Sequence, residues 1–190
     1  MTERLRRLVR DDLDSEQLAV YRTITEGPRA AGRQLFALAD DVGALNGPFG
    51  VLLHAPRIGG PLQELGAAVR YGTRMSDRCR EIAILLVAVG MSSDFEWYAH
   101  ERIGRAVGLD DAELEALRAG TFRPEDPVEG AVTRLCELLL GDSDIGDEEY
   151  ARLVAELGEP LIIEVTVLVG YYRTLAQLLQ VFAIGAPADA

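Results

Sequence analysis

The chain has 190 residues, 48% of them hydrophobic, and carries a formal charge of −12 from 31 acidic and 19 basic side chains. This length and balance suit one folded domain spanning 1–190 and exclude an intrinsically disordered chain. The acidic field repels phosphate backbones and anionic headgroups, which argues against nucleic-acid and membrane partners; an anionic ligand would need local arginines to receive it.

Cys79 and Cys136 form no CxxC pair, so neither a disulfide framework nor a zinc cluster is indicated, and a reducing cytoplasm fits. The N-terminal MTERLRRLVRDDLD lacks the apolar core of a signal peptide. The longest apolar stretches, Ile82 to Met91 and Leu161 to Tyr172, fall short of the roughly 20 residues a membrane span requires.

In chain order, Asp14 and Gln17 predict a capping box for a helix through Leu18 and Tyr21 that stops at Gly27 and Pro28. Residues 28–47 read as a long connection. Helices are expected to start near Pro48 and at Pro61, proline being suited to the first helical position, and Gly72 closes the second. Ser76 caps a helix containing IAILLVAVGM, which has no polar face and must be enclosed on all sides. Ser93 and Glu96 predict a capping box for a helix through His100 to Val107, stopped by Gly108, and Asp110 with Glu113 predict another for 111–119, stopped by Gly120.

Further helices are expected over 127–140, over 147–157 up to Gly158, and from Pro160 to about Ala183, giving an all-α bundle of eight to nine helices in which glycines serve as stops. The β-branched LIIEVTVLVGYY has strand propensity, but the pattern continues through Leu175, Leu178, Leu179 and Phe182, and length decides for helix. The terminal APADA is expected to fray. A faint echo links CREIAILLVAVG and LIIEVTVLVGYY, each holding a glutamate in an apolar run, as in two core helices about a pseudo-dyad.

The residues suited to chemistry cluster in SSDFEWYAHER, 92–102. Glu96 and His100 are four apart and share a helix face, so a carboxylate can orient an imidazole, the side chain best placed to take and return a proton near neutral pH. Glu81 stands in the first turn of the most apolar helix, where desolvation would raise its pKa and Arg80 with the helix N-terminus would lower it. Each has a structural reading too: Glu96 as a helix cap, His100 as an interface histidine, Glu81 as an arginine's ion-pair partner, and Trp97 as core. A metal site from Glu81, Glu96, His100 and His54 ranks low, because the i, i+4 pair supplies only two ligands.

The stretch REIAILLVAVGMSSDFEWYAHERIGRAVGLDDAELEALRAG resembles the carboxymuconolactone decarboxylase family pattern of LREIAIL, a spacer, YEWxxH, then AGL and an acidic helix. GPFGVLLHAP at 47–56, LGAAVRYGTRMSDRCRE at 65–81 and LVGYY at 168–172 extend the resemblance to longer members, with the motif core at 65–120. It implies the all-α fold of the alkylhydroperoxidase D (AhpD) superfamily. The thiol-peroxidase branch spaces Glu, Cys, Cys and His so that they fall on Glu81, Ser93, Glu96 and His100, and both cysteine positions are replaced. Peroxide reduction needs an attacking thiolate and a resolving thiol, which serine and glutamate cannot supply.

What the resemblance then implies is a decarboxylase-like lyase without metal or organic cofactor, acting on a small lactone or organic acid of the kind met in aromatic catabolism. His100, Glu81 and Glu96 would be catalytic. Ser93, Trp97 and His54 would line the pocket, and Arg70, Tyr71 and Arg80 would receive a carboxylate. A homo-oligomer (trimer, hexamer or dimer) is expected, with an alkylhydroperoxidase-like antioxidant protein or a non-catalytic ligand-binding protein as alternatives.

Overall fold

Helix α4 (Asp77–Gly90) occupies the centre for the reason its sequence gives: a segment apolar on every face must be covered on every face. Every residue from Cys79 to Ala88 is buried, and Ile82, Ala83, Ile84 and Leu85 have no solvent exposure at all. The computed structural model describes residues 3–30, 35–141 and 144–187. Around α4 pack α5 (Asp94–Ala106), α6 (Asp111–Ala119), α7 (Pro127–Leu140) and α8 (Asp147–Phe182). A second layer, α1 (Ser15–Thr25), α2 (Pro48–Leu52) and α3 (Pro56–Tyr71), closes one side through a smaller core of Val20, Ile24, Phe49 and Leu53.

The described residues thus form eight α-helices, with 3-10 turns at Arg10–Asp12 and Pro28–Ala30. The only extended pairing among them is an isolated bridge between Ala39 and Leu45. The capping boxes at Asp14/Gln17 and Asp110/Glu113 form as expected. The last three residues of the expected frayed tail, and 31–34 of the long connection, lie outside the described residues.

Two local expectations need correction. Helix α3 starts at Pro56, not Pro61; Pro61 lies inside the helix, one turn on, where it forgoes a backbone bond. The α4 to α5 turn is closed by Ser92 in left-handed conformation (φ 51°) rather than by a glycine, which lets the Ser93 N–H reach the Ala88 carbonyl at 2.8 Å. Gly158 (φ 73°, ψ 154°) is non-helical, so the expected stop there and the fresh helix from Pro160 both form, and α8 comprises two helices joined at that kink.

Arg78 ties the bundle together, pairing with Glu113 of α6 and with Glu129 of α7 at 2.6 Å. The echo segments in α4 and α8 pack against each other.

Candidate functional site

Three helices deliver ionisable groups into the interior. The first turns of α4 bring Glu81 (1% exposed), and successive turns of α5 bring Glu96 and His100 (3% each). His100 Nδ1 lies 2.6 Å from Glu81 Oε2, while Nε2 stands 3.6 Å from Glu96 Oε2, beyond hydrogen-bond reach. The last turn of α3 adds Arg70, whose Nη2 is 3.9 Å from Glu81 Oε1. Behind Glu81, Arg80 pairs with Asp77 and holds its Nε 4.0 Å from the same oxygen.

Glu96, His100 and Arg70 face one small cavity, closed by Arg29, Phe36, Phe49, Phe95, Tyr171 and Tyr172. Its free volume of about 20 Å³ is room for roughly one water. Gly47 (φ 60°) permits this closure, since a Cβ there would stand 2.1 Å from the Phe95 ring. At Gly66 a Cβ would stand 2.0 Å from the Tyr171 hydroxyl and 2.4 Å from Arg29 Nη2, so α3 needs a bare backbone where those two groups meet. Arg29 is further held by Gln63 Oε1 at 3.1 Å. The His100 and Tyr172 rings meet edge to face at 5.2 Å.

The electrostatics separate the two carboxylates. Burial alone would raise Glu81, but His100, Arg70 and Arg80 outweigh it and hold the carboxyl below its ordinary range. For Glu96 burial wins: only partly opposed by Arg70 and Arg29, and reinforced by Glu81, it pushes the carboxyl up to about 8. Burial also lowers the His100 pKa, against the pull of Glu81. The consistent arrangement near neutrality is an ionised Glu81 accepting from Nδ1–H, a neutral imidazole with Nε2 unprotonated, and a protonated Glu96. Two carboxyl groups thereby take opposite roles. Arg70 Nε, Glu81 Oε1 and Glu96 Oε1 are buried without hydrogen-bond partners, so unmet polarity is concentrated at this cavity.

The other expected site residues lie elsewhere. Ser93 forms no side-chain cap with the α5 backbone, so the expected capping box is absent; Glu96 turns inward instead. Ser93 is buried and borders a separate groove with Met91, Asp94 and Gln180. Trp97 is 100° around the helix from Glu96 and joins the core, with its Nε1 bonded to Glu101 at 2.9 Å and Arg118 over its ring. His54 is exposed at the α2 to α3 junction, its Nε2 3.0 Å from the Arg6 carbonyl oxygen, in a different cavity. Tyr71 is 52% exposed and Arg80 stands behind Glu81, so of the expected carboxylate receivers only Arg70 faces the cavity.

Sequence reasoning missed Arg29, Tyr171 and Tyr172. The tyrosines sit at the end of the apolar LVGYY, and Arg29 lies in a connection with no motif around it. Among the described residues, no three His, Cys, Asp or Glu side chains are arranged to hold a metal ion. No helix of these residues is long and apolar enough to cross a membrane.

Neither a protein-family model nor any curated protein matches the sequence. Solved structures do. The chain is similar to an uncharacterised peroxidase-related protein with an alkylhydroperoxidase AhpD core from Ralstonia eutropha JMP134, at 10% identity over 98% of this chain and 93% of that one, TM-score 0.77. It is also similar to a cysteine-to-alanine variant of the debrominase Bmp8 in complex with 2,3,4-tribromopyrrole, at 12% identity over 99% and 94%, TM-score 0.73. A third is a protein of unknown function from Agrobacterium tumefaciens provisionally ascribed to AhpD antioxidant defence, at 17% identity over 71% and 94%, TM-score 0.64. The chain therefore has the AhpD-like all-helical fold.

Proposed function

We propose that the protein is a cofactor-independent acid–base enzyme of the carboxymuconolactone decarboxylase kind, releasing carbon dioxide from a small carboxylated lactone or related organic acid. The observation that carries this reading is the placement of His100 Nε2 and the Glu96 carboxyl 3.6 Å apart on one cavity, with Glu81 2.6 Å behind the imidazole. Loss of carbon dioxide from a carboxylate consumes one proton per turnover, and Glu96 holds one near neutral pH.

The electrons of the breaking carbon–carbon bond pass into the conjugated lactone carbonyl. Arg70, together with the Tyr171 and Tyr172 hydroxyls, whose pKa values burial raises so that they stay protonated, stabilises the oxygen that gains charge. Glu96 passes its proton to His100, Glu81 balances the imidazolium, and His100 delivers the proton to the dienolate carbon. Solvent then reprotonates Glu96. The apolar wall of Phe36, Phe49 and Phe95 disfavours the departing carboxylate more than the neutral product. Exposed Ile163, Val167 and Val181 on α8 support the assembly of several copies, and a cytoplasmic setting belongs to the same reading.

The direct test is turnover of a carboxymuconolactone, followed by carbon dioxide release. His100→Ala should lower kcat by about 10²–10⁴-fold. Equal activity in the variant would remove His100 from the mechanism, and a ligand-induced melting shift without turnover would favour a binding protein instead. The thiol-peroxidase alternative lacks suitable thiols. Both cysteines are buried, neither lines the cavity, and burial pushes both thiols up, away from the thiolate form. Changing Cys79 and Cys136 together to Ser should leave turnover within about twofold, whereas a thiol peroxidase would lose all peroxide reduction.

A further inference from the structure

The proposed function uses His100 only to deliver a proton. One ring nitrogen, Nδ1, is committed to the Glu81 carboxylate at 2.6 Å, which favours the proton on Nδ1 and leaves Nε2 as the basic atom. A base so oriented, facing an enclosed cavity beside a carboxyl group and an arginine, has what is needed to remove a proton from carbon next to a carbonyl. Microscopic reversibility makes this more than a formal option. If His100 protonates the dienolate to give the unsaturated lactone, His100 must also be able to deprotonate that lactone and regenerate the dienolate.

We infer that the pocket has a second activity that needs no carboxylate on the substrate: proton transfer on small β,γ-unsaturated lactones, exchanging the hydrogens α to the carbonyl with solvent and shifting the double bond into conjugation.

The step balances without a co-reactant. The α C–H pair goes to the ring as dienolate π-electrons, and the proton goes to His100 Nε2. The imidazolium is held between Glu81, 2.6 Å from Nδ1, and Glu96, 3.6 Å from Nε2. Arg70 and Tyr172 line the cavity and are the donors available to the enolate oxygen as it gains charge. Return of a proton to the α carbon gives exchange; return to the γ carbon gives the α,β-unsaturated isomer, with no change in oxidation state.

The cavity walls are aromatic on several sides, from Phe36, Phe49, Phe95 and Tyr171, and can stack on a flat unsaturated ring. The free volume of about 20 Å³ holds about one water, so a five-membered lactone enters only as these side chains draw apart.

This inference rests on the acid–base reading of the site but not on carbon dioxide release, and the two fail separately. The probe is α-angelica lactone, an uncarboxylated β,γ-unsaturated lactone, incubated with the full-length protein in buffered D₂O and followed by proton NMR. The expected result is loss of the α-hydrogen signal and appearance of the conjugated isomer at least 100-fold faster than in buffer. His100→Asn and His100→Gln should each remove at least 99% of that acceleration while circular dichroism shows them folded. The Cys79→Ser, Cys136→Ser protein should match the native rate.

Exchange at the buffer rate with the native protein overturns the inference, as does undiminished exchange in a folded His100 variant. A protein that releases carbon dioxide from a carboxylated lactone but leaves α-angelica lactone unexchanged keeps the proposed function and loses this activity. Exchange without carbon dioxide release does the reverse.

Discussion

Glu96→Gln is expected to make the protein more stable and inactive, with both effects readable against pH. In the folded chain burial pushes the Glu96 carboxyl from its ordinary value of 4.5 up to about 8. Below 4.5 folded and unfolded chains both keep the proton, and the residue costs nothing. Between 4.5 and about 8 only the unfolded chain releases it, so the folded state binds more protons and stability falls as pH rises. Each pH unit of that window is worth about 1.4 kcal/mol, which puts the full cost at roughly 4–5 kcal/mol by pH 8.

Glutamine keeps the shape and removes the charge. It also forfeits the attraction of Arg70 and Arg29, so a net gain of about 2–4 kcal/mol is expected at pH 8. For a chain of this size that is on the order of 5–10 °C in Tm, shrinking toward zero as the pH approaches 4.5. On the proposed lyase reading, turnover should fall by about 10²–10⁴-fold because its proton source is gone, and the native protein's turnover should decline above pH 8 as Glu96 ionises. Melting curves of both proteins across this range decide the matter. A Tm difference that does not change with pH would mean that Glu96 is not held protonated. Stability surrendered at a working residue is a recurrent pattern in enzymes.

Much of this architecture could be read from the chain. The run IAILLVAVGM left α4 no position but the centre, and the 96/100 spacing put a carboxyl and an imidazole on one face whatever else was true. What misled was a coincidence of pattern. Ser93 and Glu96 have the spacing of a capping box, and a glutamate three residues into a helix can turn back to the N-cap or inward. The choice depends on what waits inside, and here that is Arg70 from α3 and Arg29 from beyond it, brought together only by tertiary packing.

Arg29 was invisible for the same reason: its role is defined by Gln63, Gly66 and Tyr171, three positions on two other helices. His54 and Tyr71 illustrate the opposite error. Their residue types suited the chemistry, but α2 and α3 turn them outward. Pro61 has the residue type of a helix start, but the helix begins at Pro56, five residues earlier.

Glu81→Gln tests whether the buried contact at 2.6 Å is a positioning device or only a structural pair. An ionised carboxylate can only accept, so it compels His100 to carry its proton on Nδ1 and leaves Nε2 unprotonated toward the cavity. A glutamine amide can also donate. Its NH₂ group would satisfy an unprotonated Nδ1, the imidazole would carry its proton on Nε2, and the base would be lost although every heavy atom stayed in place.

The expected result is a fall in kcat of about 10²–10⁴-fold with KM changed little, since Glu81 does not line the cavity. Because Arg70 and Arg80 would also lose their shared anion, stability should fall by roughly 3–5 kcal/mol, and activity must be compared where both proteins are folded. The separating measurement is the ¹⁵N chemical shift of the His100 ring. Nδ1 protonated in the native protein and Nε2 protonated in Glu81→Gln identifies Glu81 as the group that sets the tautomer. Nδ1 protonated in both would leave it a structural partner, and the loss of kcat should then be no larger than the loss of folded protein.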